Sequence, residues 1–288
     1  MFCVKCGNTM EEGELFCPKC GTPAGGVAAG EPVGMKSTGS KKKAPAGSGA
    51  LKKKNKALIA AVVGVIAVIA VIIAVVAVLL IHGGNPVKDL KEARVGDTVT
   101  YGTYEQDGDY DNGKEAIEWI VLDKQDGKLL LVSRYVLEGT RYHYEIDDVT
   151  WEKCSLRKWL NTGFMKEAFT QKEIKHIPTM RVSADKNPEY DTDPGNDTED
   201  QVFLLSVSEA EKYFKTDDER RCKPTEYARI MGAYSNSIHE GYCYWWLRSP
   251  GEFHCATGVE DDGSVDYYGE PSDRSDCGVR PALWVNLE

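Results

Sequence analysis

The first 81 residues of this chain contain no arginine, and the whole chain of 288 residues contains only five histidines. The histidines show no metal-ligand spacing, and no Ser/His/Asp motif is present. His254 and Cys255 are adjacent, but neighbours in a strand face opposite ways and cannot work as a catalytic pair. We therefore expect that the protein is not an enzyme.

Positive charge is scarce in the larger, C-terminal part of the chain. Ten of the 35 basic residues and four of the 45 acidic residues lie in residues 1–81, so that part carries +6. The remainder, residues 82–288, carries a net charge of −16, and the two parts sum to the net charge of −10. Because phosphate neutralisation needs a basic footprint, no nucleic-acid partner is expected for the acidic part.

Four cysteines at the N-terminus have the spacing C-x2-C-x10-C-x2-C, with a glycine after each pair. They are Cys3, Cys6, Cys17 and Cys20. Four thiolates without histidine suit tetrahedral zinc in a closed, structural site, and iron in a rubredoxin-like site is the alternative. The FC-x-x-CG repeats resemble the zinc ribbons found at the N-termini of many bacterial membrane proteins. That resemblance covers residues 1–23 and implies a structural ribbon. The ribbon would either present a small surface to a protein partner or be a folded module that has no specific partner.

An uninterrupted apolar run follows a Lys-rich linker. Residues 24–56 are rich in Gly, Ala, Pro, Ser and Lys, and residues 57–81 carry no charge. Twenty-five apolar residues reach about 37 Å as a helix, enough to cross a ~30 Å hydrocarbon core. The excess of Lys before the run predicts a single-pass protein in the cell membrane, with its N-terminus in the cytoplasm. Residues 82–94 are then a stalk, and residues 95–288 an extracellular domain.

The predicted extracellular domain shows strand patterns, then helix patterns, then strands again. DTVTYGTY, AIEWIVLD and KLLLVS predict strands, with a turn in DKQDGK,. Thr170 with Glu173, and Ser206 with Glu209, have capping-box spacing, and Pro224 is placed to open a short helix. YWWLRS, CATGVEDDGSVDYYG and VRPALWVNL predict a strand, a hairpin and a final strand. This order indicates an α+β domain with an antiparallel sheet.

The motifs IEWIVL, LLLVS, WEKCSLRKWLN, FLLS-x-x-EA, WWLRSPG and GVRPALWV resemble an uncharacterised bacterial domain of exported and membrane-anchored proteins. The C-terminal third also resembles C-type-lectin-like folds, including the sulfatase-modifying factors. The resemblance implies a C-type-lectin-like domain. Sulfatase-modifying relatives need a closely spaced cysteine pair, which Cys243 and Cys255 do not reproduce.

Four residues of the C-terminal third are candidates for ligand binding: Trp245, Trp246, Arg248 and Arg280. The two tryptophans point to opposite faces of a strand, so one belongs to the core and the other is free to stack on a sugar ring. Arg248 and Arg280 would donate to carboxylates or hydroxyls of a ligand. The alternative is that both arginines are structural and fasten the sheet to the acidic helices.

Two acidic segments are considered for calcium binding, and one disulfide is predicted. Asp107, Asp109, Asp111 and Glu118 have EF-hand-type spacing, but Asn112 stands where the turn requires Gly,. The acidic run 190–200 would bind Ca²⁺ as lectin loops do, with a solvated insertion as the favoured interpretation. Cys255 and Cys277 would pair across neighbouring strands of an exported domain.

The resulting hypothesis is a membrane-anchored surface protein whose outer domain binds a glycan or cell-wall component. The alternative is a protein-interaction or sensory scaffold that couples the outer domain to the zinc ribbon. An enzyme that acts on cell-wall polymers is a third hypothesis. Aromatic rings exposed on the C-terminal lobe would favour the glycan, whereas a flat apolar patch would favour a protein partner.

Overall fold

The computed structural model describes residues 85–236, 238 and 240–288. The predicted zinc ribbon, the linker and the apolar run 57–81 lie outside these residues. Within the described part of the chain, no helix is both long enough and apolar enough to cross a membrane. The fold class with a transmembrane helix, and the single-pass membrane localisation inferred from it, are corrected accordingly. The structure supports a domain of mostly antiparallel sheet.

Two five-stranded sheets form the framework of this domain. Sheet A has the order β1 (Thr98–Tyr104), β2 (Glu115–Gln125), β3 (Lys128–Ser133), β14 (Ala282–Asn286) and β7 (Val202–Phe203). Sheet B has the order β12 (Val265–Pro271), β11 (Cys255–Val259), β10 (Trp245–Pro250), β13 (Gly278–Val279) and β4 (Glu138–Gly139). The pairings are antiparallel except β10 with β13, which is parallel. The expected antiparallel sheet is therefore confirmed.

Two short hairpins lie outside the main sheets. They are β5 (Met180–Val182) with β6 (Thr198–Asp200), and β8 (Ser235–Asn236) with β9 (Tyr242–Cys243). Strand β6 falls within the acidic run 190–200, so that run is not only a solvated insertion.

The helices are short, and four of them begin at a Ser or Thr cap. They are α1 (Ser155–Trp159), a π-helical turn (Leu160–Phe164), α2 (Met165–Ala168), α3 (Gln171–Ile174), α4 (Val207–Tyr213), α5 (Asp217–Arg220) and α6 (Glu226–Ile230). Both predicted capping boxes form, at the starts of α3 and α4. A third box, Thr216 with Glu219, begins α5. Helix α6 follows Pro224, and its N-cap is Thr225, whose hydroxyl accepts from the Ala228 N–H,.

Sheet A packs against the helices through aromatic side chains. Phe164 at the end of the π-helical turn lies 5.2 Å from Tyr104 of β1, measured between ring centroids. Phe169, which follows α2, stacks at 6.3 Å on Trp119 of β2. All of these rings are buried, and they belong to one continuous core. Such rings stabilise the contact beyond the area they bury.

The predicted final strand is divided between the two sheets. Val279 ends β13 in sheet B, and Ala282 begins β14 in sheet A. Arg280 and Pro281 form the crossing, and Pro cannot donate a hydrogen bond to a ladder. The single strand expected over VRPALWVNL is therefore wrong, and this crossing ties the two sheets together.

The predicted stalk is also corrected. Val87 and Leu90 are fully buried, and Ala93 is nearly so. The Lys124 ammonium of β2 donates to the carbonyls of Lys91 and Ala93, at 2.8 Å each. Three apolar side chains at this spacing bury one side of the segment, so residues 87–93 belong to the folded domain and not to a stalk.

Candidate ligand-binding surface

The two tryptophans predicted to bind a ligand are both completely buried. Trp245 Nε1 donates to the Arg220 carbonyl at 3.1 Å. Trp246 Nε1 donates to the Thr140 carbonyl at 2.9 Å, and its ring contacts Tyr142 and Tyr244. Adjacent residues of β10 do point to opposite faces, but both faces of this strand are covered. Neither ring is accessible to a sugar.

Arg248 and Arg280 are buried as well, at 3% and 1% exposure. Arg248 forms a two-pronged pair with the Glu209 carboxylate of α4 and donates to the Leu204 carbonyl at 2.9 Å. Arg280 donates to the Ser133 carbonyl at 2.9 Å, and its guanidinium lies between the rings of Phe214 and Trp245. The ligand-binding role predicted for these two arginines is corrected: they fasten sheets and helices, as the structural alternative supposed.

The predicted disulfide does not form. Cys255 and Cys277 are both buried and free. Cys255 lies opposite Pro271 at the start of β11, whereas Trp245 pairs with Val259 at the other end of that strand and with Gly278 of β13. Strand β10 thus separates the two thiols, and such an arrangement cannot be bridged.

The motif WEKCSLRKWLN converges on one buried carboxylate, that of Asp200 on β6. Trp151 Nε1 and Arg157 Nε donate to it at 3.0 and 2.7 Å, and Thr198 Oγ1 donates at 2.6 Å. Asn161, in the π-helical turn, donates to it at 3.3 Å. We call Asp200 and these four donors the Asp200 hub. Asp200 is 1% exposed. A buried carboxylate with this many donors stabilises the fold and is not available as an acceptor for a ligand.

Exposed aromatic and apolar side chains lie instead near one end of sheet B, on loops and on β12. We call the following set the aromatic rim: Tyr144, Ile146, Tyr190, Phe253 and Tyr268. Phe253 is 65% exposed, Ile146 62%, Tyr268 47% and Tyr144 46%. The half-buried Tyr190 ring packs edge-on against Tyr268 at 5.9 Å. A group of exposed rings of this kind is typical of interaction surfaces.

Ser272, directly after β12, brings the loops of the rim together. Its carbonyl accepts from the His143 N–H at 2.7 Å, and its N–H donates to the His254 carbonyl at 3.0 Å. Its hydroxyl donates to the Glu145 carbonyl at 3.2 Å. Ser272 therefore connects two segments of the rim: the loop that carries Tyr144 and Ile146, and the turn that carries Phe253.

The turn before β11 is locked in an unusual conformation. Phe253 has φ = +52°, a left-handed region that is costly for any residue with a side chain,. The neighbouring Glu252 N–H donates to the Tyr268 carbonyl at 2.8 Å, which fixes the turn to β12. Strained residues that persist in exposed positions are concentrated at binding sites.

The sequence profile of a family described as a domain of unknown function, DUF6273, matches residues 126–287. This match covers more than half of the chain. The chain belongs to the DUF6273 family. A zinc-ribbon domain profile also matches, at residues 2–24. No curated protein and no solved structure matches the chain, so the C-type-lectin-like fold expected from the sequence has no support.

The zinc-ribbon match agrees with the donors predicted from the sequence. The matched residues contain Cys3, Cys6, Cys17 and Cys20 and no histidine. A set of four thiolates fits zinc, which would hold the ribbon together in a closed site that leaves no position for a substrate. These cysteines lie outside the described residues.

The folded unit extends beyond the DUF6273 match. The match begins at Asp126, in the turn between β2 and β3, where Asp126 and Gly127 both have positive φ. Strands β1 and β2 nevertheless pair with each other and with β3 in sheet A. The DUF6273 domain of this chain therefore includes an N-terminal hairpin, and its aromatic rim lies wholly within the matched residues.

Four residues of the rim were missed in the sequence because each stands alone in a loop, whereas Tyr268 lies on β12 beside Tyr267. Phe253 is the exception with a visible signal, since SPGEFHC places a large aromatic residue in a Pro-Gly turn,. The contact between the loops at Ser272 joins positions more than a hundred residues apart, and no local pattern reports it.

Proposed function

We propose that the DUF6273 domain of this chain binds a glycan through the aromatic rim. The observation that supports this proposal is that hydrogen bonds close to Ser272 join the three segments that carry the exposed rings of Tyr144, Phe253 and Tyr268. Phe253 and Tyr268 lie in the C-terminal third, where the sequence suggested ligand binding, although the contact residues are different ones.

The chemistry of the rim suits a carbohydrate. Aromatic rings stack on the apolar faces of sugars at a small cost in side-chain entropy, because each ring has only two rotatable bonds. Carboxylates next to the rings accept hydrogen bonds from sugar hydroxyls. Glu145 and Glu252 stand beside Tyr144 and Phe253 in the same loops, and neither forms an ion pair within the described residues.

The test is binding of the full chain to a panel of glycans and to purified bacterial cell walls. Phe253→Ala and Tyr268→Ala should each weaken binding by about tenfold, or about 1.4 kcal/mol, since each removes one stacking ring. Tyr110→Ala is the matched control: Tyr110 is 61% exposed but lies in the loop between β1 and β2. It should leave binding unchanged.

Two results would refute the proposal. The first is an absence of binding to every glycan and cell-wall sample by the unmodified chain. The second is equal binding by the Phe253→Ala, Tyr268→Ala and Tyr110→Ala variants. In either case the exposed rings would point to a protein partner, the alternative considered from the sequence.

A further inference from the structure

Four segments of the chain meet at the aromatic rim. Ser272 joins three of them, which are residues 142–150, 250–258 and 265–272. Asn187 adds the fourth, residues 187–196: its side-chain amide donates to the Pro250 carbonyl at 2.8 Å and to the Tyr267 carbonyl at 2.6 Å. Asn187 is 5% exposed, so this contact is a buried one. The rim is therefore a single surface built from distant parts of the sequence.

These four segments are strongly acidic. They carry no lysine or arginine and nine carboxylates, those of Glu145, Asp147, Asp148, Glu189, Asp191, Asp193, Glu252, Asp266 and Glu270. The last three of these residues are partly exposed, and the other six are exposed. Arg141 and Lys186 lie just outside the segments, and with both counted the net charge is still strongly negative. The electrostatic potential around the exposed rings is therefore negative.

Basic residues from the rest of the domain do not neutralise this charge. Among the described residues, Glu270 alone of the nine forms an ion pair, and its partner is Arg274. Arg274 also pairs with Asp276. Arg248, two residues before Pro250, is buried and pairs with Glu209. Eight carboxylates of the rim therefore have no positive partner in the part of the chain that the structure describes.

Electrostatic effects on neighbouring groups agree with a negative rim. Burial raises the pKa of the Cys255 thiol, two residues after Phe253, to about 11. Three carboxylates add to this shift, those of Glu270, Asp266 and Glu252. Burial also raises the pKa of the Tyr268 hydroxyl, and Cys255 and Glu252 reinforce that shift. Carboxylates of the turn and of β12 thus act on the small region that carries Phe253 and Tyr268.

We propose that the ligands of the aromatic rim are glycans with free, protonated amino groups. This inference rests on the proposed glycan binding and names the class of glycan. A cation is attracted to the face of an aromatic ring, and carboxylates next to the ring add to the attraction. A protonated amino sugar offers apolar C–H faces to the rings and ammonium groups to carboxylates such as Glu145 and Glu252.

The same charge disfavours other glycans. Polymers with phosphate or carboxylate groups would place negative charge beside the eight carboxylates, and such like-charge contacts suppress binding. Neutral glycans would stack on the rings but leave the carboxylates without a positive partner. The rim should therefore discriminate between glycans by charge as well as by shape.

The test compares two oligomers that differ in whether their amino groups are acetylated. The full chain is titrated calorimetrically with a glucosamine hexamer and with an N-acetylglucosamine hexamer. At about pH 6, exposed carboxylates are ionised and most of the free sugar amines are protonated. The glucosamine hexamer should bind at least about tenfold more tightly. Raising NaCl from about 0.05 to about 0.5 M should remove most of this difference, because salt screens exposed charges.

Two double variants test whether the preference belongs to the rim. Glu145→Gln combined with Glu252→Gln removes two charges next to the exposed rings, and it should reduce the preference for the glucosamine hexamer by at least about threefold. Asp109→Asn combined with Asp111→Asn is the matched control. It removes the same charge from exposed positions of the loop between β1 and β2, which contacts α6, and it should leave the preference unchanged.

The outcomes separate this inference from glycan binding itself. Equal affinity for the two hexamers, or tighter binding of the acetylated one, would overturn the inference and leave glycan binding intact. Absence of binding to both hexamers would also overturn it, and the wider glycan panel then decides whether the rim binds any glycan. An equal fall of the preference in the two double variants would overturn it too, because the preference would then come from the net charge of the domain.

Discussion

The Asp200 hub and the aromatic rim differ in whether their aromatic and polar side chains are buried or exposed. In the hub, Trp151 and Arg157 are turned inward, and their donors meet one buried carboxylate. In the rim, Phe253 and Tyr268 are turned outward, and roughly half of each side chain or more meets solvent. The difference shows that the most recognisable motifs of this domain secure its fold, whereas its exposed rings lie where the sequence has little pattern.

The strand YWWLRS illustrates the same contrast. Its tryptophans and Arg248 have the composition of a sugar-binding site, yet every one of them is satisfied by a partner inside the domain. A bidentate Arg–Glu pair between β10 and α4 links sheet B to a helix,. Residue type alone therefore does not distinguish a ligand contact from a structural one.

The largest effect is expected from breaking the hub. Asp200→Ala should lower the free energy of unfolding by about 3 kcal/mol, because it leaves Arg157, Trp151 and Thr198 without their acceptor in a buried site. Chemical denaturation of the full chain, followed by tryptophan fluorescence, measures this loss.

Asp197→Ala is the control for that measurement. Asp197 also pairs with an arginine, Arg181, but the Arg181 side chain is 75% exposed. Water screens such a pair, so this change should have far less effect than Asp200→Ala. Equal losses in the two variants would show that the hub has no special structural role.

A second prediction concerns the pH dependence of stability. Glu138 is buried on β4, accepts from the Tyr104 hydroxyl at 2.9 Å, and burial raises the pKa of its carboxyl from 4.5 to about 8. Between these two values the folded state binds more protons than the unfolded state does. The contribution of Glu138 to stability is therefore present at low pH and is lost as the pH rises to about 8, by at most about 1.4 kcal/mol per pH unit.

Glu138→Gln removes this titration and keeps an acceptor for Tyr104. The variant should be more stable than the unmodified chain at about pH 9, and the difference should shrink at about pH 5. Denaturation with urea at both pH values provides the measurement, and Glu118→Gln, a partly exposed acid, is the control. A difference that does not change with pH would contradict the assignment.

The smallest effect is expected at the rim, and it has the opposite sign. Phe253→Gly should raise the free energy of unfolding by about 1 kcal/mol, because glycine adopts the left-handed φ of this turn without strain. The same change should weaken glycan binding, since a stacking ring is lost. Denaturation and glycan binding of one protein sample test both expectations, and a destabilised variant would show that the Phe253 side chain packs for stability.

Local features of this fold could be predicted from the sequence, and distant contacts could not. Thr170 with Glu173 and Ser206 with Glu209 are close in sequence, and both caps form as their spacing indicates. Asp200 lies in an acidic run typical of a solvated loop, and only its contacts with residues about forty positions earlier explain its burial. Local patterns predict neither the contact between Arg280 and Ser133 nor the contact between His143 and Ser272.

The candidate sites follow the same rule. The spacing from Asp107 to Glu118 suggested one set of carboxylates, but the pairing of β1 with β2 brings Glu105 and Glu115 close to Asp107 instead. Hydrophobic and charged composition can suggest a kind of chemistry. Which side chains are free to perform it depends on strand register and on the burial of each face.

The position of β14 within sheet A bears on the order in which this domain can fold during synthesis. Residues 282–286 lie between β3 and β7, and Trp284 pairs with Leu130 from the first half of the domain. The hairpins β1–β2 and β2–β3 leave the ribosome long before that partner does. The edge of β3 that pairs with β14 stays unpaired until β14 emerges. A nascent chain of this domain should therefore be a substrate for chaperones that shield unpaired strands.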